Sequence, residues 1–398
     1  MFELNRSERQ GKALPESDVR AFGHQAVTEV ARVMQLHPSY RATPLHSLNA
    51  LAKRLSIASV EVKDESSRFG LGSFKALGGA YAVVRIAQQH VERELGRPVT
   101  PQELLDPNIR SRLRELTVGC ATDGNHGKSV AAGANLLGLR SRIYVHEGVS
   151  QERVDAIARY GADMVVVKGN YDDAVDHAAR ECEANGWTIV SDTSWEGYQE
   201  IPRIVMQGYT TIVHELASQL GGAPTHVFLQ AGVGGFAAAM AAAISLNINS
   251  KAKFILVEPD RAACLFFSNR AGECISVPAQ EATIMSMLEC YRPSEIAWTT
   301  LTHLTSAFMT VNEDDAVEAM RTLARHGASA GLVSGESGAA GAAGLVNACN
   351  DPAARKALGL DATSRVLLFS TEGATAPLIY KSLVGDVAQR SDLVADPH

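Results

Sequence analysis

The chain has 398 residues, of which 46% are hydrophobic and 20% charged, and its formal net charge is -7. That length suffices for two cores, and the balance of apolar and charged residues excludes a disordered or fibrous polypeptide. An acidic balance without a basic tract excludes an electrostatic grip on nucleic acid or an anionic membrane, which leaves small molecules as partners.

The opening segment, MFELNRSERQGKALPESDVR, is charged from the start and lacks the basic segment and apolar run of a secretory leader, so a cytosolic protein is expected. Arg68-Phe69-Gly70-Leu71-Gly72 form a turn, and Ser73-Phe74-Lys75-Ala76-Leu77-Gly78-Gly79-Ala80 then open a helical run. Lysines are mostly exposed, and Lys75 by itself reads as a solvated surface residue. Apolar Phe74, Ala76 and Leu77 change that reading. Desolvation and the positive end of a helix both disfavour an ammonium, so a neutral amine able to attack an aldehyde carbon is expected at Lys75.

Short β-rich runs then alternate with helical ones: TVGCAT and KSVAAGANLLG, SRIYVHE and QERVDAIARYG, DMVVVKG and YDDAVDHAARECEANG. This rhythm predicts a parallel sheet with helices on its faces, and ligands in such sheets bind at the carboxyl ends of strands. The first strand-to-helix turn is Thr122-Asp123-Gly124-Asn125-His126-Gly127-Lys128. Its glycines are expected to aim backbone N–H groups at an anion. Asp123 alone reads as a helix cap or Asx turn, and Asn125 offers an amide donor suited to a phenolic oxygen. His126 has no second histidine at ligand spacing and reads as a turn-fixing residue, so no metal is assigned.

A second series follows in THVFLQAGVGG, FAAAMAAAISLNI, KFILVEPD and RVLLFSTEG. The apolar stretch at 236–246 is too short to span a bilayer and reads as a buried helix. Gly232-Val233-Gly234-Gly235-Phe236 let the backbone approach phosphate oxygens at a helix N-terminus. The same turn fits a dinucleotide fingerprint, because Gly232-x-Gly234-x-x-Ala237 is followed at the end of the next strand by Glu258, where a ribose-binding acid belongs. A nicotinamide-dependent oxidoreductase is therefore a rival. The six cysteines contain no CxxC pair. Cys264 and Cys290 bracket a loop that a disulfide would restrict, free thiols being the expectation in the cytosol. A large unit is expected over 1–88 and 215–398, with a small one at 89–214 inserted within it.

Taken together and in this order, SFKALGGA, TDGNHG and GVGG resemble the fold type II pyridoxal-phosphate enzymes, the group of threonine and serine dehydratases and cysteine synthase. Within it, SFKALGG, the aspartate of TDGNHG, Asp192-Thr193-Ser194-Trp195-Glu196-Gly197-Tyr198 and Ser334-Gly335-Glu336-Ser337-Gly338 look like the diaminopropionate ammonia-lyases. The resemblance covers nearly the whole chain. It implies an α/β fold of two domains, each with a mainly parallel twisted sheet flanked by helices, pyridoxal 5'-phosphate as cofactor, and a homodimer.

Carried over residue by residue, the resemblance implies that Lys75 forms the Schiff base, that Asn125 bonds the phenolic oxygen, and that Gly232, Val233, Gly234, Gly235 and Phe236 cradle the phosphate. The hydroxyl that meets the ring nitrogen falls to Thr371, in the turn Ser370-Thr371-Glu372-Gly373. The implied reaction is α,β-elimination of D- or L-2,3-diaminopropionate to pyruvate and two ammonia. Dehydratases carry a small residue where this chain has Asp123, and a substrate with a second amine explains the difference: Asp123 and Asp192 would hold its ammonium or move protons. Lys75 and Asp123 are the candidate bases, one for each isomer if they stand on opposite faces. Glu336 is placed in the active-site wall. The alternatives are a dehydratase with a hydroxyl leaving group and a catalytically inactive relative.

Overall fold

The computed structural model describes residues 1–122 and 124–385. The chain divides into two compact units, one made of Met1–His24, Ala42–Ser67 and the chain from Ile212 onward, the other of Gln25–Arg41 and Arg68–Thr211. The boundary expected at 88/89 falls inside the helix Lys75–Leu95, which is a single unbroken element. The chain changes unit instead at His24/Gln25, Arg41/Ala42, Ser67/Arg68 and Thr211/Ile212.

Among the described residues, the first unit holds a seven-stranded sheet running Phe2–Leu4, Thr305–Val311, Lys253–Pro259, His226–Gln230, Arg365–Ser370, Ser59–Asp64 and Leu45–Ser47. The five inner strands are parallel and the two edge strands antiparallel. Buried parallel strands read as continuous apolar runs, which accounts for HVFLQ being buried at every position. The helix Gly235–Asn247 follows that strand, and Ala237–Ile244 are wholly buried. Alanine combines high helix propensity with a thin side chain, which suits a helix enclosed on all sides.

Among the described residues, the second unit holds a parallel four-stranded sheet in the order Asp163–Val167, Arg140–His146, Thr117–Ala121, Thr188–Ile189. These strands and the helices between them, Asn125–Leu137, Gln151–Ala158 and Tyr171–Asn185, match the alternation expected from the sequence. No helix among the described residues is long and apolar enough to cross a membrane.

Candidate active site

In the second unit Lys75 is the first residue of the helix Lys75–Leu95. Two glycines just inside that helix let neighbours approach its backbone: a Cβ on Gly78 would overlap the Tyr209 ring, and one on Gly79 would lie 2.5 Å from Ser129 Oγ. The Ser129 hydroxyl donates to the Ala76 carbonyl at 2.9 Å and accepts the Ala80 N–H at 3.1 Å, one turn beyond Lys75. From the other side Gly208, in the helix Glu200–Tyr209, packs so closely that a Cβ there would lie 2.6 Å from the Leu77 carbonyl oxygen. The start of the lysine helix is thereby fixed by two other helices.

Lys75 Nζ donates to Asp192 Oδ2 at 2.8 Å. Asp192 follows the short strand Thr188–Ile189, which lies beside Thr117–Ala121, and the Val190 N–H continues that pairing by donating to the Gly119 carbonyl at 2.7 Å. The loop after it is folded by Tyr198. Its hydroxyl donates to the Ile189 carbonyl at 2.8 Å and accepts the Ser191 N–H at 3.1 Å, while its ring stacks on Trp195 at 4.3 Å. The motif DTSWEGY is thus a self-closing loop that presents Asp192.

Burial alone would raise the Asp192 carboxyl; the Lys75 ammonium, with His126, outweighs it and holds the group well below the ordinary carboxylate range. The apolar neighbours of Lys75 and its place at a helix start predict a neutral amine there. The Asp192 carboxylate, 2.8 Å away and largely shielded from water, favours the ammonium instead, because a full opposite charge outweighs the partial charge of a helix end.

Asn125 and His126 open the helix Asn125–Leu137 at the carboxyl end of the neighbouring strand. His126 is buried and its Nε2 lies 3.1 Å from the Val190 carbonyl, so it ties this turn to the strand that leads to Asp192. Burial pushes its imidazole below the ordinary value. The anion-binding role expected of the turn has fewer donors than the pattern suggested, since the Thr122 hydroxyl accepts the N–H groups of both Gly124 and Gly127 at 3.0 Å. Asp123 lies outside the described residues.

In the first unit the turn Gly232–Gly235 links the strand His226–Gln230 to the helix Gly235–Asn247. Gly234, the N-cap, has φ +96°, a conformation that a side chain disfavours. It has no side chain with which to cap, so the first N–H groups of the helix suit a phosphate. A Cβ at Gly232 would lie 2.8 Å from Cys290 Sγ, and Cys264 Sγ approaches the Gly232 carbonyl at 3.7 Å. Both are free thiols. The Val233 carbonyl accepts the Ser294 N–H at 2.9 Å, and the buried Phe236 ring packs edge-on against Phe369 at 5.4 Å. The Phe236 side chain is thereby committed to the core of this unit.

Glu258 is fully buried, with Oε1 accepting the Leu265 N–H at 2.8 Å and Oε2 the Phe266 N–H at 2.7 Å. Both oxygens serve the first turn of the helix Cys264–Ala271, which removes the ribose ligand on which the nicotinamide reading rested. Thr371 is buried just past the strand Arg365–Ser370, a parallel neighbour of His226–Gln230, so its turn and the glycine turn leave the same end of the sheet. The SGESG turn supports it: the Gly335 N–H donates to the Glu372 carbonyl at 3.0 Å, and a Cβ at Gly338 would lie 2.7 Å from that oxygen. Glu336 is buried within this turn.

The family of pyridoxal-phosphate dependent enzymes matches residues 36–372. A diaminopropionate ammonia-lyase of Salmonella typhimurium is 40% identical over 361 residues, which cover 87% of this chain and 89% of that protein. The crystal structure of the Escherichia coli diaminopropionate ammonia-lyase in complex with an aminoacrylate-PLP azomethine reaction intermediate superposes with a TM-score of 0.85 at 34% identity, covering 97% of each chain. Threonine deaminase isoform 2 of Solanum lycopersicum has a TM-score of 0.74 at 20% identity, over 98% of this chain and 97% of that one, and so shares the fold. With its lysine helix, its glycine turn and these relatives, the chain belongs to the pyridoxal-phosphate-dependent enzymes and, within them, to the diaminopropionate ammonia-lyases.

Proposed function

We propose that this protein eliminates ammonia from 2,3-diaminopropionate, D or L, and yields pyruvate and two ammonia. The observation that carries the reading is the carboxylate of Asp192 at 2.8 Å from the amine of Lys75. A dehydratase acting on a hydroxyl needs no such anion, whereas a substrate with a second ammonium does.

The residues present suit pyridoxal 5'-phosphate: an amine at Lys75 for covalent attachment, the N–H groups of Gly232, Val233, Gly234, Gly235 and Phe236 for the phosphate, Asn125 for the phenolic oxygen and Thr371 for the ring nitrogen. When bound, the cofactor supplies an electron sink that acidifies the hydrogen on Cα of the attached amino acid. Lys75, once its amine is released by the substrate, takes that proton from one face, and Asp123 takes it from the other for the opposite isomer. Asp192 holds the β-ammonium as an anion. The β-ammonium takes the place of the Lys75 ammonium beside this carboxylate and keeps it ionised, so Asp192 orients the leaving amine rather than supplying a proton. Water then converts the remaining three-carbon fragment into pyruvate and the second ammonia. Glu336 belongs to the wall of the site.

The protein acts as a homodimer in the cytosol; two-fold dimers are the commonest assembly, and six free cysteines suit a reducing compartment. Purified protein is expected to be yellow, to be bleached by borohydride with the reduced label on Lys75, and to release two ammonia per pyruvate. A colourless protein that pyridoxal phosphate does not reconstitute, or a single ammonia per pyruvate, overturns this function, and a monomer in sedimentation overturns the assembly.

A further inference from the structure

Gln230 is the last residue of its strand and stands two positions before the glycine turn. Its Nε2 lies 3.0 Å from the Gly338 carbonyl, 2.9 Å from the Phe369 carbonyl and 3.1 Å from Thr371 Oγ1. Two carbonyl oxygens on one side of the amide accept only from an NH2 group, so the orientation of the amide follows from chemistry. The NH2 group has two hydrogens and no lone pair to offer, so the three oxygens share those hydrogens and the Thr371 oxygen faces it as an acceptor. The hydroxyl hydrogen is thereby turned away from Gln230. Gln230 Oε1 is buried with no hydrogen-bond partner, pressed towards Gly341, where a Cβ would lie 2.9 Å from it. Leaving a buried carbonyl unsatisfied costs free energy that an apolar residue of the same length would avoid. The donor side of the amide must therefore be what the site needs.

We infer that Gln230 is a positioning residue: its amide orients the Thr371 hydroxyl as a hydrogen donor towards the cofactor's ring nitrogen, which is thereby held unprotonated. The same amide joins the strand that feeds the phosphate turn to the SGESG turn and to the turn of Thr371. A neutral ring nitrogen withdraws less electron density than a protonated one and directs the bound substrate to elimination rather than amino transfer. This inference rests on the reading that Thr371 meets the ring nitrogen.

The test uses holoenzyme loaded with pyridoxal phosphate carrying 15N in the ring, with Gln230→Glu, Gln230→Met and Thr371→Val beside the wild type. A carboxylate at 230 accepts the Thr371 hydrogen and reverses its direction, so the 15N resonance of Gln230→Glu is expected to move from the neutral towards the protonated position. Gln230→Met is expected to bind the cofactor about two- to tenfold more weakly by equilibrium dialysis, the loss of about one hydrogen bond. An unmoved resonance in Gln230→Glu, with Thr371→Val shifting it, overturns the inference alone. An unmoved resonance in Thr371→Val overturns the reading beneath it as well. If Gln230→Glu does not fold, an unchanged cofactor affinity in Gln230→Met overturns the inference.

Discussion

Lys75 and Asp192 are separated by 117 positions in the chain, yet Nζ and Oδ2 meet at 2.8 Å with both side chains largely shielded from water. The lysine enters from a helix start fixed by Gly78, Gly79 and Gly208, and the aspartate from a loop closed by the Tyr198 hydroxyl. Before the cofactor is attached the two satisfy each other. In the proposed function the lysine is engaged with the cofactor, which leaves this carboxylate to the second cation of the substrate.

Asp192→Asn is therefore expected to lower kcat/KM for diaminopropionate about 10- to 100-fold, the worth of a shielded charge-assisted hydrogen bond of roughly 1.5–3 kcal/mol. Serine, with no β-ammonium, should lose much less. Equal losses with both substrates in steady-state assays would show that Asp192 does not hold the leaving amine.

If Lys75 and Asp123 serve opposite isomers as proposed, Asp123→Asn should impair the D isomer far more than the L isomer, which would keep Lys75 as its base. Parallel assays of pyruvate release from the two isomers check this, and matching losses refute the division of labour.

Burial pushes the Glu258 carboxyl from 4.5 up to about 8, against the pull of the Leu265 and Phe266 N–H groups. Between these values the folded state holds a proton that the unfolded state releases, so this group's stabilisation is present below pH 4.5 and is lost as pH rises through about 8. Glu258→Gln does not titrate. Thermal melts from pH 5 to 8.5 should show wild type losing stability with rising pH relative to the variant; parallel curves would contradict the buried carboxyl.

Gly208→Ala places a methyl 2.6 Å from a backbone oxygen of the lysine helix, which cannot move away as a side chain can. A loss of about 1–3 kcal/mol is expected in urea unfolding, the usual cost of overpacking. A loss below about 0.5 kcal/mol would mean that the helices separate freely.

Gly234→Ala adds a Cβ at φ +96°, at a strain of about 1–2 kcal/mol, beside Leu265 Cδ1 at 3.1 Å. The turn is expected to shift, and pyridoxal phosphate to bind about tenfold more weakly by equilibrium dialysis. Unchanged affinity would place the phosphate elsewhere.

What the sequence determined by itself is what local rules encode. Alternating apolar strands and alanine-rich helices specified parallel sheets, glycines between strand and helix marked the turn at 232–235, and the surroundings of Lys75 set it apart from surface lysines. These depend on neighbours within a turn or two, where periodicity and propensity carry the information.

Tertiary structure decided everything that depends on a distant partner. The charge of Lys75 follows from Asp192 rather than from its own helix end, because a full charge in contact outweighs a helix dipole. Glu258 looked like a ribose ligand by spacing and proved to cap a helix, and Thr122 took N–H groups that the glycine pattern had promised to an anion. Gln230 gave no local signal at all: a glutamine ending a buried strand has meaning only once the Gly338 and Phe369 carbonyls and the Thr371 hydroxyl, more than 100 positions away, converge on its amide.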